Sequence, residues 1–213
     1  MESKNSQAEM VTQQTENSKV VTFICQCKEA FKSTKGLLSA LCYVFLLTFI
    51  VFPGLSTAVP LSFLSGRPGA LAWLSLVILT AFNVMDTCGR YLAGVACMNL
   101  SRKTTVALSY LRTAQLVLFV LTLFEVGPDW LFGTDAFKLT NFALFAFFNG
   151  YLSSLCSIKA PKVVSSGAER GNVGAFIGVA KLLGILIGSL LAIPLKEVIQ
   201  LAPSYEMTAT QSL

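Results

Sequence analysis

Histidine is missing from this sequence altogether. Its absence removes imidazole proton relays, histidine-based triads and histidine metal sites in one step. Charge is scarce as well. Asp, Glu, Lys and Arg make up 13% of the residues, about half the share in soluble domains. With 54% hydrophobic residues and a mean hydropathy of +0.68, the chain must bury apolar surface in lipid rather than in one aqueous core. The six cysteines (Cys25, Cys27, Cys42, Cys88, Cys97 and Cys156) show no zinc-like spacing. Four lie in or at the edges of apolar stretches, where Cys behaves as a small hydrophobe. Cys25 and Cys27 precede the first such stretch, either as plain juxtamembrane thiols or as palmitoylation sites. No apolar h-region with a small-residue cleavage site opens the chain, so no secretory signal peptide is expected. Nothing in the composition calls for a metal or a cofactor.

What is present in abundance is long apolar runs. Five stand out, at about 36–58, 70–92, 104–126, 139–158 and 172–195, each near the ~20 residues that cross a bilayer. Hydrocarbon forces the backbone to satisfy its own hydrogen bonds, so these are expected to be helices. The separators carry turn residues: "SGRPG" at 65–69, "GPDWLFGTD" at 127–135 and "KAPKVVSSGAERG" at 159–171. The fold class is therefore an all-α membrane protein with a five-helix bundle over 35–196. Residues 1–34 are polar and read as a cytoplasmic tail or disordered linker, and 197–213 as a short C-terminal tail.

The net charge of +5 is not gathered in a nucleic-acid patch, and its bases cluster at span ends. Lys28, Lys32 and Lys35, then Arg102 and Lys103, then Lys159, Lys162 and Arg170 fall on one side. Arg67, Lys138 and Lys196 fall on the other, beside Asp129 and Asp135. The bias puts the N-terminus in the cytoplasm and the C-terminus outside or in a lumen. The sequon at Asn99 would then be cytoplasmic and is discounted. Pro53 and Gly54 lie inside the first span, as a bend or as a helix end. Gly174, Gly178, Gly184 and Gly188 form two GxxxG pairs in the fifth span. Such pairs serve close packing within the bundle or self-dimerisation.

An ionisable group in a membrane costs at least a few kcal/mol, ~2.5–3.5 on the mildest scale, and is rarely kept without a task. On the second span Asn83, Asp86 and Arg90 follow at steps of three and four. They share one stripe with Leu76, Leu79 and Gly94, which must face protein or water. Asp86 and Arg90 are either a structural ion pair or the polar lining of a solute pathway. Arg112, about two turns into the third span, is expected to snorkel toward the cytoplasm, and Glu125 to be interfacial. Lys181 shares a helical face with Gly174, Gly178 and Gly188 and is expected to point into the bundle, where an acid such as Asp86 would offset it.

Several of these stretches together resemble the C-terminal half of the equilibrative nucleoside transporters. They are "FPGLSTAV" closing the first span, "FN-x-x-D-x-x-GR" in the second, "FFNGYLSSLC" in the fourth followed by "APKVV", and "GILIGS" in the fifth, over about 35–195. The resemblance implies an eleven-helix carrier related to the major facilitator group, of which these spans would be helices seven to eleven. It implies facilitated movement of a nucleoside, sometimes a nucleobase, and no enzymatic step. Asp86 and Arg90 would contact the ribose, with Asn83 one turn earlier, and Phe52 would lie against the base. The sequence departs from the family pattern in three ways. The six-helix N-terminal half is not represented, "RTAQLVLFVL" after Arg112 lacks a common proline, and Lys181 replaces an apolar residue. The expected function is a facilitative nucleoside transporter in the lipid bilayer, most simply of the plasma membrane. The facing wall would come from the missing half or an oligomeric partner. The alternative is a truncated paralogue that transports nothing and acts as a membrane interaction subunit.

Overall fold

The computed structural model describes residues 2–52, 56, 59, 61–64, 68–95, 100–124, 126–128 and 132–200. Among these there is no strand. The helices are α1 (Glu2–Val51), α2 (Ala70–Gly94), α3 (Arg102–Leu111), α4 (Thr113–Leu123), α5 (Asp135–Lys159) and α6 (Gly167–Gln200). Short 3-10 turns cover Ser62–Leu64 and Ala160–Val163. With α3 and α4 taken together, five helical stretches are long and apolar enough to cross a membrane.

Local chemistry explains where the helices begin. Ser166 and Glu169 form a capping box ahead of α6: the Glu169 N–H donates to Ser166 Oγ (3.1 Å), and the Ser166 N–H donates back to Glu169 Oε2 (3.4 Å). Ser101 caps α3 by accepting from the Thr104 N–H at 3.1 Å. Gly69, at φ 76°, makes the left-handed step into α2. Asp135 opens α5, and its two carboxylate oxygens accept from the backbone N–H groups of Ser62 (2.8 Å) and Phe63 (3.0 Å). That contact ties the loop after α1 to the start of α5.

Two expectations change. The polar stretch 1–34 is not a separate disordered tail, because α1 runs without a break from Glu2. Residues 2–34 contain neither glycine nor proline, so nothing in them stops a helix that the apolar span extends. Its last turns join the core: Ala30 and Thr34 are fully buried, and Phe31 meets Phe176 of α6 edge-on at 5.8 Å. The third span is not one helix. It breaks at Arg112 between α3 and α4. Pro53, Gly54, Arg67, Cys97, Asn99, Glu125 and Asp129, and most of the C-terminal tail, lie outside the described residues.

Packing arranges the long helices in the row α2–α5–α1–α6, with α3 and α4 behind α1 and α5. The guanidinium of Arg102 donates to the Ser33 carbonyl at 2.7 Å, and the turn at Ala160–Val163 packs on α1. The basic segments around Lys32, Arg102 and Lys162 therefore share one end of the bundle. Lipid tails are as apolar as leucine, so close van der Waals approach rather than burial drives association here. Small residues supply it. A Cβ at Gly184 would run into the Cys42 carbonyl of α1, and one at Gly188 into Leu46. Gly174 and Gly178 differ, since a Cβ there would meet nothing within 4 Å. Only the second glycine pair packs inside the bundle.

This contrast is measurable. Gly184→Ala should destabilise the detergent-solubilised chain by about 1–3 kcal/mol through overpacking. Gly178→Ala should be neutral or stabilising by up to ~1 kcal/mol, since alanine is the better helix former. Thermal unfolding of the two variants reads the difference. Equal behaviour would contradict the packing described.

Candidate functional site

Asp86 sits on α2 where that helix crosses α5, and it is buried. Both of its carboxylate oxygens are taken. Arg90 Nε, one turn on, donates to Oδ2 at 2.6 Å, and Asn149 Nδ2 of α5 donates to Oδ1 at 2.7 Å. The two charged side chains differ in access: 46% of the Arg90 side chain is exposed against 12% for Asp86. Arg90 gives only its Nε to the pair. Its two terminal nitrogens have no protein partner among the described residues.

Polarity continues inward from Asn149. Thr48 of α1 donates from Oγ1 to Asn149 Oδ1 at 2.7 Å, with the Val44 carbonyl an equally close acceptor. Arg112 in turn donates to Thr48 Oγ1, at 3.3 Å from Nη1 and 3.4 Å from Nη2. An ionised Asp86 only accepts, so Asn149 must turn its amide nitrogen toward it and its oxygen toward Thr48. The network thus runs in one direction. It has an arginine at each end and the acid between them, and it draws on four elements: α1, the α3–α4 junction, α5 and α2.

Arg112 does not snorkel. It is 2% exposed and turns into the bundle at the break between α3 and α4. Buried guanidinium needs many acceptors. It finds the carbonyls of Val44 and Phe145, each at 3.1 Å, in addition to Thr48. Its flat face lies over the Phe145 ring, 4.5 Å from the centroid. These local partners outcompete the water that a snorkelling side chain would have sought.

The other expected site residues are placed differently. Asn83 is exposed, one turn before Asp86, and its Nδ2 donates to the Leu79 carbonyl of its own helix at 2.8 Å. It does not touch the ion pair, but its side-chain oxygen is left outward. Phe52 is half-buried, and Phe82 stacks on one face of it, with centroids 4.3 Å apart and planes 8° from parallel. Lys181 is half-buried but does not pair with Asp86, whose oxygens are already engaged.

Five residues of the site fall outside the expected set or take a new role: Thr48, Arg112, Asn149, Gly89 and Gly150. The two glycines let α2 and α5 touch. A Cβ on Gly89 would run into the Phe147 carbonyl, and one on Gly150 into the Asp86 carbonyl. The available signal was a glycine next to a polar residue inside an apolar span, in "CGR" at 88–90 and "NG" at 149–150.

Five helical stretches long and apolar enough to cross a bilayer, with a buried charged network that reaches the surface at one arginine, mark a multi-pass membrane protein. The chain belongs to the nucleoside transporter family, whose family model, described as "Nucleoside transporter", matches residues 1–197. It is 28% identical over 177 residues to equilibrative nucleoside transporter 1 of Homo sapiens, which covers 81% of this chain and 38% of that protein. It is 26% identical over 168 residues to nucleoside transporter 1.2 of Leishmania donovani, covering 76% and 32%. Equilibrative nucleoside transporter 3 of Rattus norvegicus is 28% identical over 175 residues, covering 79% and 36%. The chain spans about a third of the length of these relatives.

The hydrogen-bond direction makes a prediction. Asn149→Leu leaves Asp86 Oδ1 without its donor, while Thr48 keeps the Val44 carbonyl, and should cost about 1–3 kcal/mol of stability. Asn149→Asp should cost more, because it sets a second carboxylate against the first. Thermal unfolding in detergent at neutral pH checks the order. An Asp variant as stable as wild type would mean that Asp86 is not held as an ionised acceptor.

Proposed function

We propose that this chain forms one wall of a nucleoside pathway across a membrane. The observation that carries the reading is the half-exposed Arg90, whose terminal nitrogens make no hydrogen bond among the described residues while a buried acid holds its Nε in place. Family membership and the relatives' names supply the solute class. A guanidinium with fixed orientation and unused donors suits sugar hydroxyls and base oxygens. Asp86 uses one bond on each oxygen, so lone pairs remain for a ribose hydroxyl, and the outward oxygen of Asn83 offers a third polar point. The stacked Phe52 and Phe82 rings form an apolar platform for the flat base.

The mechanism is facilitated diffusion by alternating access, with no bond made or broken. Alternating access requires one bundle to rock against another. These five helices supply one bundle. The facing one comes from a further six-helix portion, in cis or from a partner. The basic end of the bundle, with the start of α3 bonded to α1, supports a cytoplasmic N-terminal side. The plasma membrane is the proposed location.

Uptake of labelled adenosine or uridine by cells expressing the full chain tests this. Uptake should rise above background. Asp86→Ala or Arg90→Ala should cut it at least about tenfold, equivalent to ~1.4 kcal/mol or more of lost binding, at unchanged amounts in the membrane. Background uptake from a chain that reaches the membrane would favour the interaction-subunit reading instead.

A further inference from the structure

A groove of about 580 Å³ runs between α1 and α6, apart from the polar network: Asp86, Arg90 and Asn149 do not line it. That volume lies within the ~300–1,000 Å³ of ligand sites. The side chains of the two helices explain where it opens. At Gly184 and Gly188 the helices meet at the backbone of α1. Toward the basic end of the bundle, α6 presents Phe176, Val179 and Leu183 instead. There Phe31 meets Phe176 edge-on at 5.8 Å, ring against ring. Gly36 adds room, since a Cβ at that position would meet nothing within 4 Å. Leu38 is buried beneath the groove, and Phe31, Val179 and Leu183 stand exposed along it.

Charge enters at one end. Ser39 is already engaged: its Oγ donates to the Gly36 carbonyl at 3.1 Å and accepts from the Tyr110 hydroxyl at 3.0 Å. Lys35 is exposed and has no hydrogen bond and no ion pair among the described residues. Lys28, two turns earlier, falls on the same stripe of α1 and is likewise exposed and unpaired among them. A lysine at the end of a span marks by itself only the water boundary. Here two of them stand at the head of an apolar channel that continues inward to Cys42 and Leu183. From Lys35 to Cys42 the channel follows α1 for about 10 Å, at 1.5 Å per residue. That is most of one leaflet, whose depth is ~15 Å, half of the hydrocarbon core.

We propose that this groove is a binding site for an anionic phospholipid. One acyl chain lies between α1 and α6, and Lys35 holds the headgroup phosphate with Lys28 beside it. The phosphate offsets charge that the protein leaves uncompensated, through charge-assisted hydrogen bonds. A zwitterionic headgroup brings its own cation to the same place and gains less. Each lysine near an anionic headgroup is worth about fivefold in affinity. The site requires only that the helices span a bilayer, so it stands apart from the identity of the solute.

Native mass spectrometry of the purified full chain in detergent tests this, with phosphatidylglycerol and phosphatidylcholine of identical palmitoyl and oleoyl chains titrated in. One phosphatidylglycerol per chain should bind at least about tenfold more tightly than phosphatidylcholine. Lys35→Gln should cut that preference about fivefold. Gly36→Leu, which places a side chain in the groove, should weaken both lipids together at unchanged helix content by circular dichroism. Should Gly36→Leu lose helix content, Lys35→Gln, on exposed surface, decides alone. Equal affinity for the two lipids, or a preference untouched by Lys35→Gln, overturns the inference and leaves this face to ordinary bilayer lipid. Lipid binding indifferent to a folded Gly36→Leu overturns it by placing the lipid elsewhere. A dimer that Gly36→Leu dissociates, with no phosphatidylglycerol retained, gives the groove to a second copy of the chain and overturns it as well.

Discussion

A single carboxylate held inside an apolar bundle sets the terms for everything around it. Asp86 is buried, and an isolated ion in that position would be expensive. The fold meets that cost by giving each oxygen its own donor, one from the same helix and one from α5. Satisfying Asp86 fixes the amide of Asn149, whose oxygen meets the hydroxyl of Thr48, which receives the guanidinium of Arg112. Four elements are thereby oriented by hydrogen-bond direction and not by shape alone. Arg90 is the point where this closed network meets the outside.

Much of the architecture could be read from the chain. Long apolar runs in lipid have only one economical backbone solution, so five spans were visible, four of them to within about five residues at each end, while the first begins well before the expected position 36. The Asp86–Arg90 pair was visible because it lies within one helix turn. Its partners were not. Asn149 is 63 residues from Asp86, and Thr48 is 101 residues from Asn149. Both are neutral polar residues of a kind common in membrane helices, and a linear pattern does not say which faces meet. Arg112 failed for a related reason. Two turns into a span, a long side chain can reach either water or the interior, and only the positions of Val44, Thr48 and Phe145 decide between them. Of the two readings of the polar N-terminal stretch, a cytoplasmic tail or a disordered linker, the helix bears only on disorder, because composition says that a segment is hydrophilic, not that it is unstructured.

The glycines of α6 separate into two kinds, although their spacing is the same. Gly184 and Gly188 remove bulk so that α1 can approach, while Gly174 and Gly178 remove bulk toward unoccupied space beside Lys181. Identical local patterns thus do opposite work, one closing an interface and the other keeping a surface low. Which pair does which depends on the rotation of α6 against α1, a tertiary quantity.

The contact between Gly89 and Gly150 has a mechanical consequence. Backbone meets backbone there, with the Asp86 carbonyl against Gly150 and the Phe147 carbonyl against Gly89. No side chain intervenes that could change rotamer to absorb a displacement. α2 therefore cannot turn or slide on α5 without lifting off it, and the acid and base travel only as fast and as far as both helices travel together. Any shuttling of the polar site between two faces of a bilayer must then be a tilt of the locked pair, with the hinge elsewhere in the chain.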